Sequence, residues 1–396
     1  MNCTPATDRP LKGLLVLDFS QFLAGPCCAL RLADLGAEVI KIERPQGGDL
    51  SRGLYLADQA FAGDSALFHT INRNKRGFAA DLKSATDLTR VKALVRRADV
   101  MVHNFRPGVM DRLGLGYETV SQLNPRLVYA GITGYGSQGP WRDKPGQDLL
   151  VQAMSGLAWL SGDDTQGPVP VGISIADMTA GAHLCQGILA ALVRRAATGR
   201  GGRVDVSLIE SAFDLQFEQF TAFLNSERTQ PARDGTNNAS VYLGAPYGIY
   251  RTADGYLALA MTPIKQLGEL IGCAHLTAYG EPDTWFRERA RIKAILAEHL
   301  LQQSTAHWLA ILEPADVWCA EVYTWPELLT QPGFAALGLT QEIHADGAGT
   351  MLTTRCPIRI DGQVLTSDRG APTLGRDTDE ITRAFSLDSA QERNLK

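Results

Sequence analysis

Four short apolar runs separated by helical patterns constrain this chain more tightly than any other feature. LLVLDF (14–19) reads as a buried strand, GPCCALRLADLGA as a helix stopping at Gly36, and VIKIE (39–43) as the next strand. The order then repeats, with a helical run from Thr86 to Arg97, the strand DVMVHN, the helix YETVSQLN and the strand RLVYAGITGY. Parallel neighbours in a sheet need a long return connection, usually a helix, so this alternation predicts an α/β fold with a parallel sheet and crossover helices.

Two apolar helical runs follow, DLLVQAMSGLAWL and ADMTAGAHLCQGILAALVRRAATG, the second ending in Arg194 and Arg195 with Gly199 as its stop. Near residue 226 the texture changes to the polar SERTQPARDGTNNAS, then to a hairpin-like pair, YGIYRT and GYLALAM, around Asp254-Gly255. The expected organisation is a large domain over 1–225 and a smaller α+β domain with its linkers over 226–325. A carboxy-terminal part over 326–396 then returns to the large domain. Helices in the small domain are expected at 265–271, 285–301 and 306–312.

Composition narrows the partners. Among 396 residues, Lys+Arg number 38 and Asp+Glu 43, a net charge of −5, opposite in sign to a nucleic-acid binder. Residues 41–112 nevertheless hold 13 Lys/Arg against 8 Asp/Glu. These cations gather at turns: Lys41 and Arg44 after a strand, Arg73, Lys75 and Arg76 in INRNKRG, Lys83, then Arg106 and Arg112 in NFRPGVMDRLG. Turn-borne cations can converge on one anion; the alternative, solvated surface charge, suits Arg90, Lys92, Arg96 and Arg97 on a helix better. The longest uncharged apolar stretch, 178–193, has 16 residues, short of the roughly 20 a membrane span needs, so no membrane segment is expected. The amino terminus lacks a signal-peptide layout, which makes the cytoplasm the expected location. Seven cysteines without a C-x-x-C are expected to be reduced and structural.

Familiar cofactor motifs are missing. The first strand-to-helix turn is SQFLAGPCCAL rather than G-x-G-x-x-G, and neither a P-loop nor a G-x-S-x-G elbow occurs. No nicotinamide or flavin is therefore expected. With seven scattered histidines, no HExxH and no paired Cys/His spacing, no metal is expected either.

The strings LKGLLVLDFSQFLAGP, AEVIKIERP, NRNKRGFAADLK, NFRPGVMDRLGLGYE, NPRLVYAGITGYGSQGP, VGISIADMTAG, GAPYGIYRTADGYLALAM and APTLGRDTDEI occur in that order. Together they resemble the family III coenzyme A transferases (CaiB/BaiF, the carnitine/bile-acid CoA-transferase group) over nearly the whole chain. The resemblance implies a Rossmann-like large domain with a parallel sheet built from both chain ends, a smaller domain between them, and a homodimer of two interlocked subunits. It implies coenzyme A, carried as an acyl-CoA substrate, and a free carboxylic acid as the reacting partners. By motif position it carries CoA contacts over to Arg44, Lys83, Asn104, Arg112 and Lys144, and also to Lys75 and Arg106. It places the nucleophile at Asp177 in VGISIADMTAG. From the residues alone, Ser174 or Asp177 before an apolar helix is an N-cap, and the two roles compete for the same oxygens.

In the chemistry the resemblance implies, Asp177 attacks a thioester carbonyl to give a mixed anhydride and CoA thiolate. The thiolate then forms an aspartyl-CoA thioester, and an incoming acid reverses the sequence. An aspartate in its ordinary range is already ionised and needs no general base. Each tetrahedral oxyanion wants N–H donors, for which Gly25, Gly244 and Gly248 are candidates beside their ordinary turn roles. The wording ISIAD is closer to enzymes using small dicarboxylates. An alternative is an α-methylacyl-CoA racemase-type isomerase, but that branch carries G-H-D where this chain reads PGQDLL, and Gln147 exchanges no proton at neutral pH.

Overall fold

The computed structural model describes residues 9–230, 232–235, 239–345 and 349–388. Its contacts divide the chain into two compact units, one from 1–151, 174–215 and 337–396, the other from 152–173 and 216–336. The linker texture had suggested edges at 226 and 325, and the segment 152–173 carried no signal of its membership. Cys3 lies outside the described residues.

The first unit is organised by β1 (Leu15–Asp18), β2 (Glu38–Glu43), a two-residue hairpin β3 (Ala60–Phe61) and β4 (Asp64–Ser65), β5 (Arg76–Ala79), β6 (Val100–His103), β7 (Val128–Thr133) and β8 (Gly202–Ser207). Without the hairpin these form one six-stranded sheet in the order β5-β2-β1-β6-β7-β8, parallel throughout. Its helices are α1 (Ala24–Asp34), α2 (Ala66–Asn72), α3 (Ala85–Val95), α4 (Val109–Arg112), α5 (Tyr117–Leu123), the start of α6 (Asp148–Met154), α7 (Ile175–Thr198) and α8 (Leu208–Asp214). Both sheet faces are covered, which is why β1, β6 and β7 read as unbroken apolar runs. Leu15, Leu17, Ile40, Phe78, Met101 and Tyr129 pack on one face with Val91, Leu94 and Val95 of α3 and Val120 of α5. Helices α1 and α7 pack against the strands and against each other. At their crossing a Cβ on Gly181 would lie 2.6 Å from the Ala24 carbonyl oxygen, so only glycine permits the approach. Helix α7 is long and apolar enough to span a membrane, but its buried Ala176, Ala180, Leu184 and Ile188 belong to this packing.

The expectation that the sheet draws on both chain ends is corrected here. Among the described residues all six strands come from 15–207. The carboxy-terminal part instead straps edge strand β5. Asp377 accepts the Gly77 N–H at 2.7 Å and donates its own N–H to the Gly77 oxygen at 3.0 Å, while Thr378 Oγ1 accepts the Ala79 N–H at 2.9 Å. Ile381 and Leu387 then enter the core.

The second unit carries a three-stranded antiparallel sheet, β11-β10-β9, from β9 (Gly248–Arg251), β10 (Tyr256–Leu259) and β11 (Cys319–Glu321). Its helices include α9 (Phe217–Asn225), α10 (Ile264–Ile271), α11 (Pro282–Arg287), α12 (Arg289–Leu300) and α13 (Thr305–Leu312). The helix expected at 285–301 is two helices that meet at Glu288. Tyr250, Leu257, Leu267, Leu296 and Trp308 form its core.

Candidate active site

Because the six strands run one way, every strand-to-helix loop of the first unit leaves at one edge of the sheet. Arg44 follows β2, Lys83 follows β5, and Asn104, Arg106 and Arg112 follow β6, while Lys144 lies between β7 and α6. Helix α7 returns the chain to β8 and so also begins at this edge, with Asp177 in its first turn. Seven of the eight residues singled out in the sequence thus share the carboxyl edge. The strand order reverses between β1 and β6, and open α/β sheets bind ligands outside the strand ends at such a reversal.

At that reversal the turn after β1 is held from below. The buried Asp18 carboxylate accepts the Ser20 N–H at 2.9 Å, the Ser20 hydroxyl, and Lys75 Nζ at 2.8 Å. Lys41 Nζ donates to the Ser20 oxygen at 2.9 Å and pairs with Asp49 at 2.8 Å, and Asp49 in turn accepts the Phe22 N–H at 3.1 Å. Asn104 ties this turn to the loop after β6: its Oδ1 accepts the Gln21 N–H at 2.8 Å and its Nδ2 donates to the Gln21 oxygen at 2.6 Å. Gly25 is required here because a Cβ would sit 2.2 Å from Ser20 Cβ. Gly244, in the other unit, has a comparable reason, with the Trp285 backbone 3.0 Å from its notional Cβ.

Lys75 is the residue the structure moves out of the expected ligand set. It precedes β5 rather than following it and is wholly buried. Its three N–H donors are taken by Asp18, the Pro26 carbonyl at 3.0 Å and Asn72 Oδ1 at 2.8 Å. Its neighbours are also engaged within the chain: Arg73 pairs with buried Asp34, and Arg76 pairs at the surface with Glu38 and Glu380. The turn INRNKRG is therefore a structural cluster. By contrast Arg44, Lys83, Arg106, Arg112 and Lys144 are all exposed, and none has a carboxylate partner among the described residues. Five unpaired cations along one sheet edge suit a polyanion.

Asp177 is half-buried. Ser174 is the N-cap of α7 but makes no side-chain cap bond. The helix amides go instead to Asp148, the first residue of α6, whose Oδ1 accepts Ala176 N–H at 2.8 Å and Asp177 N–H at 3.2 Å. Asp177 is therefore not the cap of α7, and its carboxyl has no hydrogen bond among the described residues. Burial first, and the Asp148 charge second, push Asp177 up to about 7. The expectation of an ordinary, fully ionised aspartate is thereby corrected. Cys27, on the first full turn of α1, lies close by, its thiol pushed up to about 11 by burial, with its Sγ 3.7 Å from Met178 Sδ. His183 is occupied by Ser211 at 3.0 Å and Asp214 at 3.1 Å. Gln147 is exposed and accepts the Leu149 N–H at 3.1 Å.

A cavity of about 410 Å³ opens along β6, β7 and β8, lined by His103, Arg106, Tyr129, Arg142, Arg203 and Glu210 among others. Burial pushes the His103 imidazole down to about 4, so it is neutral at ordinary pH. Among the described residues no group of side chains could hold a metal ion.

A model of CoA-transferase family III matches residues 11–378. The chain belongs to that family. This CoA-transferase is 34% identical over 400 residues to an acetyl-CoA:oxalate CoA-transferase of Acetobacter aceti, covering 98% of this chain and 99% of the relative. It is 32% identical to a succinate–glutarate CoA-transferase of Agrobacterium fabrum, over 95% of each chain. Among solved structures, Rv3272 from Mycobacterium tuberculosis matches with a TM-score of 0.82 at 31% identity, covering 94% of this chain and 99% of that one. A CaiB/BaiF family protein from Brucella suis matches with a TM-score of 0.80 at 30% identity, over 95% and 99%. The enzyme is thus a transferase acting on CoA thioesters, built on a mixed α/β fold.

Sequence reasoning missed Asp148 and the Asp18–Lys41–Lys75–Asp49 network. Asp148 stands 29 residues from Asp177, at no spacing that places it on the same helix.

Proposed function

We propose that this CoA-transferase moves CoA from an acyl-CoA thioester to a small dicarboxylic acid, with Asp177 as the nucleophile. The observation that carries this is the unbonded, desolvated Asp177 carboxyl at the head of α7, on the sheet edge that also bears five unpaired cations. Arg44, Lys83, Arg106, Arg112 and Lys144 are suited to the phosphates of CoA, and binding energy from that distant nucleotide holds the thioester against Asp177. Asn104 shapes the turn between them.

The Asp177 carboxylate adds to the thioester carbonyl, and collapse of the tetrahedral oxyanion releases CoA thiolate and leaves a mixed anhydride. The thiolate adds to the Asp177 carbonyl of that anhydride, releasing the first acid as carboxylate and forming an aspartyl-CoA thioester. The acceptor carboxylate attacks this thioester to form a second anhydride and free the thiolate again. Attack of the thiolate on the acceptor's carbonyl gives the new acyl-CoA and restores Asp177. No proton enters the sum, in keeping with the engagement of His183 elsewhere. A desolvated carboxylate is more basic and more nucleophilic than one in water, and a dry site spares the anhydride from hydrolysis. The dicarboxylate assignment is supported by relatives whose names pair CoA with oxalate, glutarate and citramalate.

An interlocked homodimer is part of the same proposal. Helix α9 (FEQFTAFLN) has no buried residue, and Phe217 and Trp325 in the second unit are 63% and 83% exposed, apolar surface that a second subunit would cover. Sedimentation equilibrium is expected to give twice the chain mass of 42.9 kDa.

The decisive experiment incubates the enzyme with succinyl-CoA, traps with hydroxylamine and maps the peptides by mass spectrometry. A hydroxamate on the Asp177 peptide, absent in Asp177→Ala, is the expected result. No adduct with any acyl-CoA donor would remove the assignment.

A further inference from the structure

The amides that Asp148 occupies are the ones an N-cap side chain normally takes. With Ser174 as N-cap, Ala176 and Asp177 are the second and third residues of α7, whose N–H groups have no partner within the helix. An acidic side chain at the third position ordinarily turns back to the helix head, and its charge is favoured there by the dipole. In this enzyme the same head is filled from outside, by a carboxylate on the preceding helix.

We propose that Asp148 is a positioning residue for the Asp177 nucleophile: by accepting the leading amides of α7 from the first turn of α6, it leaves the Asp177 carboxylate unbonded and beside a second negative charge. This rests on Asp177 being the nucleophile. The device separates two duties that one aspartate cannot perform together. Cap and helix dipole would spread the charge of Asp177 over hydrogen bonds that must break before attack. Asp148 takes those bonds and its charge discourages the proton from leaving Asp177, so that the carboxylate, once formed, is a stronger base and nucleophile.

The approach of Asp148 is itself built. Gly146, two residues before it, meets Gly134, just beyond β7, so closely that a Cβ on Gly146 would lie 2.5 Å from the Gly134 Cα. Only a glycine pair lets these two backbones touch. From the other elements packed around the head of α7, Cys27 of α1 lies within electrostatic reach of Asp177 and is neutral at ordinary pH, while Lys75, Arg31 and Asp18 act on Cys27 rather than on Asp177. The first turn of α7 holds no other charged side chain. Burial and Asp148 thus set when Asp177 ionises.

The test is the pH profile of single-turnover adduct formation with succinyl-CoA, in wild type and Asp148→Asn. The asparagine keeps an Oδ1 acceptor for the helix amides but removes the charge. The wild-type rate is expected to fall as pH drops through about 7, and the acid limb of Asp148→Asn to move down by about one pH unit. Asp148→Ala, which loses the acceptor as well, is expected to lower the high-pH plateau about tenfold below Asp148→Asn. An acid limb at the same pH in both enzymes, with the adduct still on Asp177, overturns the inference while leaving the nucleophile intact. An equal, pH-independent loss in both variants overturns it also, since that is what a purely structural residue gives. If Asp148→Asn does not fold, difference infrared titration reads the Asp177 carboxyl in the wild type and in Asp148→Ser, which also lacks the charge. A lower midpoint in the variant supports the inference, and the same midpoint in both overturns it.

Discussion

An aspartate that retains its proton to neutral pH burdens the fold that holds it. For Asp177 the folded-state value lies above the unfolded one, so the native state binds the extra proton, and its stability declines as pH rises from about 4 to about 7. Asp177→Asn is therefore expected to stabilise the protein by about 2 kcal/mol at pH 8, discounted for the water the half-buried carboxyl still reaches, and by nothing near pH 4. Thermal melts of both proteins at the two pH values check the sign. Lys75 gives the opposite case. Lys75→Met strands Asp18 beside Lys41 in a fully buried pocket, and breaking such a pair costs about 3–5 kcal/mol. Chemical denaturation of the variant measures it, and loss of nucleotide affinity without loss of stability would show that Lys75 touches ligand after all. The sequence could not separate Lys75 from Lys83. Both stand in basic turn-like strings, but the acceptors that bury Lys75 lie 57 and 49 residues away, beyond any local pattern. Asp177, by contrast, is singled out in the sequence because its whole neighbourhood, VGISIADMTAG, reads as one motif.

The strands show most clearly what a sequence pattern can and cannot carry. The four central strands were all readable, because being covered on both faces made them continuous apolar runs. The two that were missed, β5 (RGFA) and β8 (GRVDVS), are the two edges of the sheet. The outer strand β8 alternates half-buried and exposed side chains along most of its length, and β5 reads RGFA, a charged residue and a glycine ahead of its one large apolar side chain, so neither offers the apolar run that marks a central strand. Likewise the run DLLVQAMSGLAWL is apolar enough for one helix, but Gly156 adopts φ +83°, ends α6 and starts a separate turn. Close approach is invisible to hydrophobic pattern altogether. Gly146→Ala is expected to push the segment before α6 off Gly134, weaken the Asp148 cap and slow adduct formation at least tenfold. Stopped-flow acylation against the melting temperature separates this from simple unfolding: a rate unchanged at saturating succinyl-CoA would mean that the glycine contact does not govern Asp148.

At the scale of the molecule, the alternation of strands and helices was sufficient for the α/β class, and the ordered motifs for the family, but neither told how the chain's two ends meet. The string APTLGRDTDEI forms a strap on β5. Its Asp377 and Thr378 close the outward amides of β5, and Pro372 passes so near Gly77 that a Cβ there would be 3.0 Å from it. An unpaired strand edge invites pairing with other chains. During synthesis the N–H of Gly77 emerges 300 residues before the Asp377 that will receive it, an interval of about 15–60 s at ordinary ribosomal rates. Through that time the nascent sheet is expected to carry an open border, which a chaperone or the ribosome surface would guard. Ribosome-bound chains halted short of residue 370 should be caught by general chaperones, and full-length chains released; equal capture of both would mean that the border is harmless while it waits.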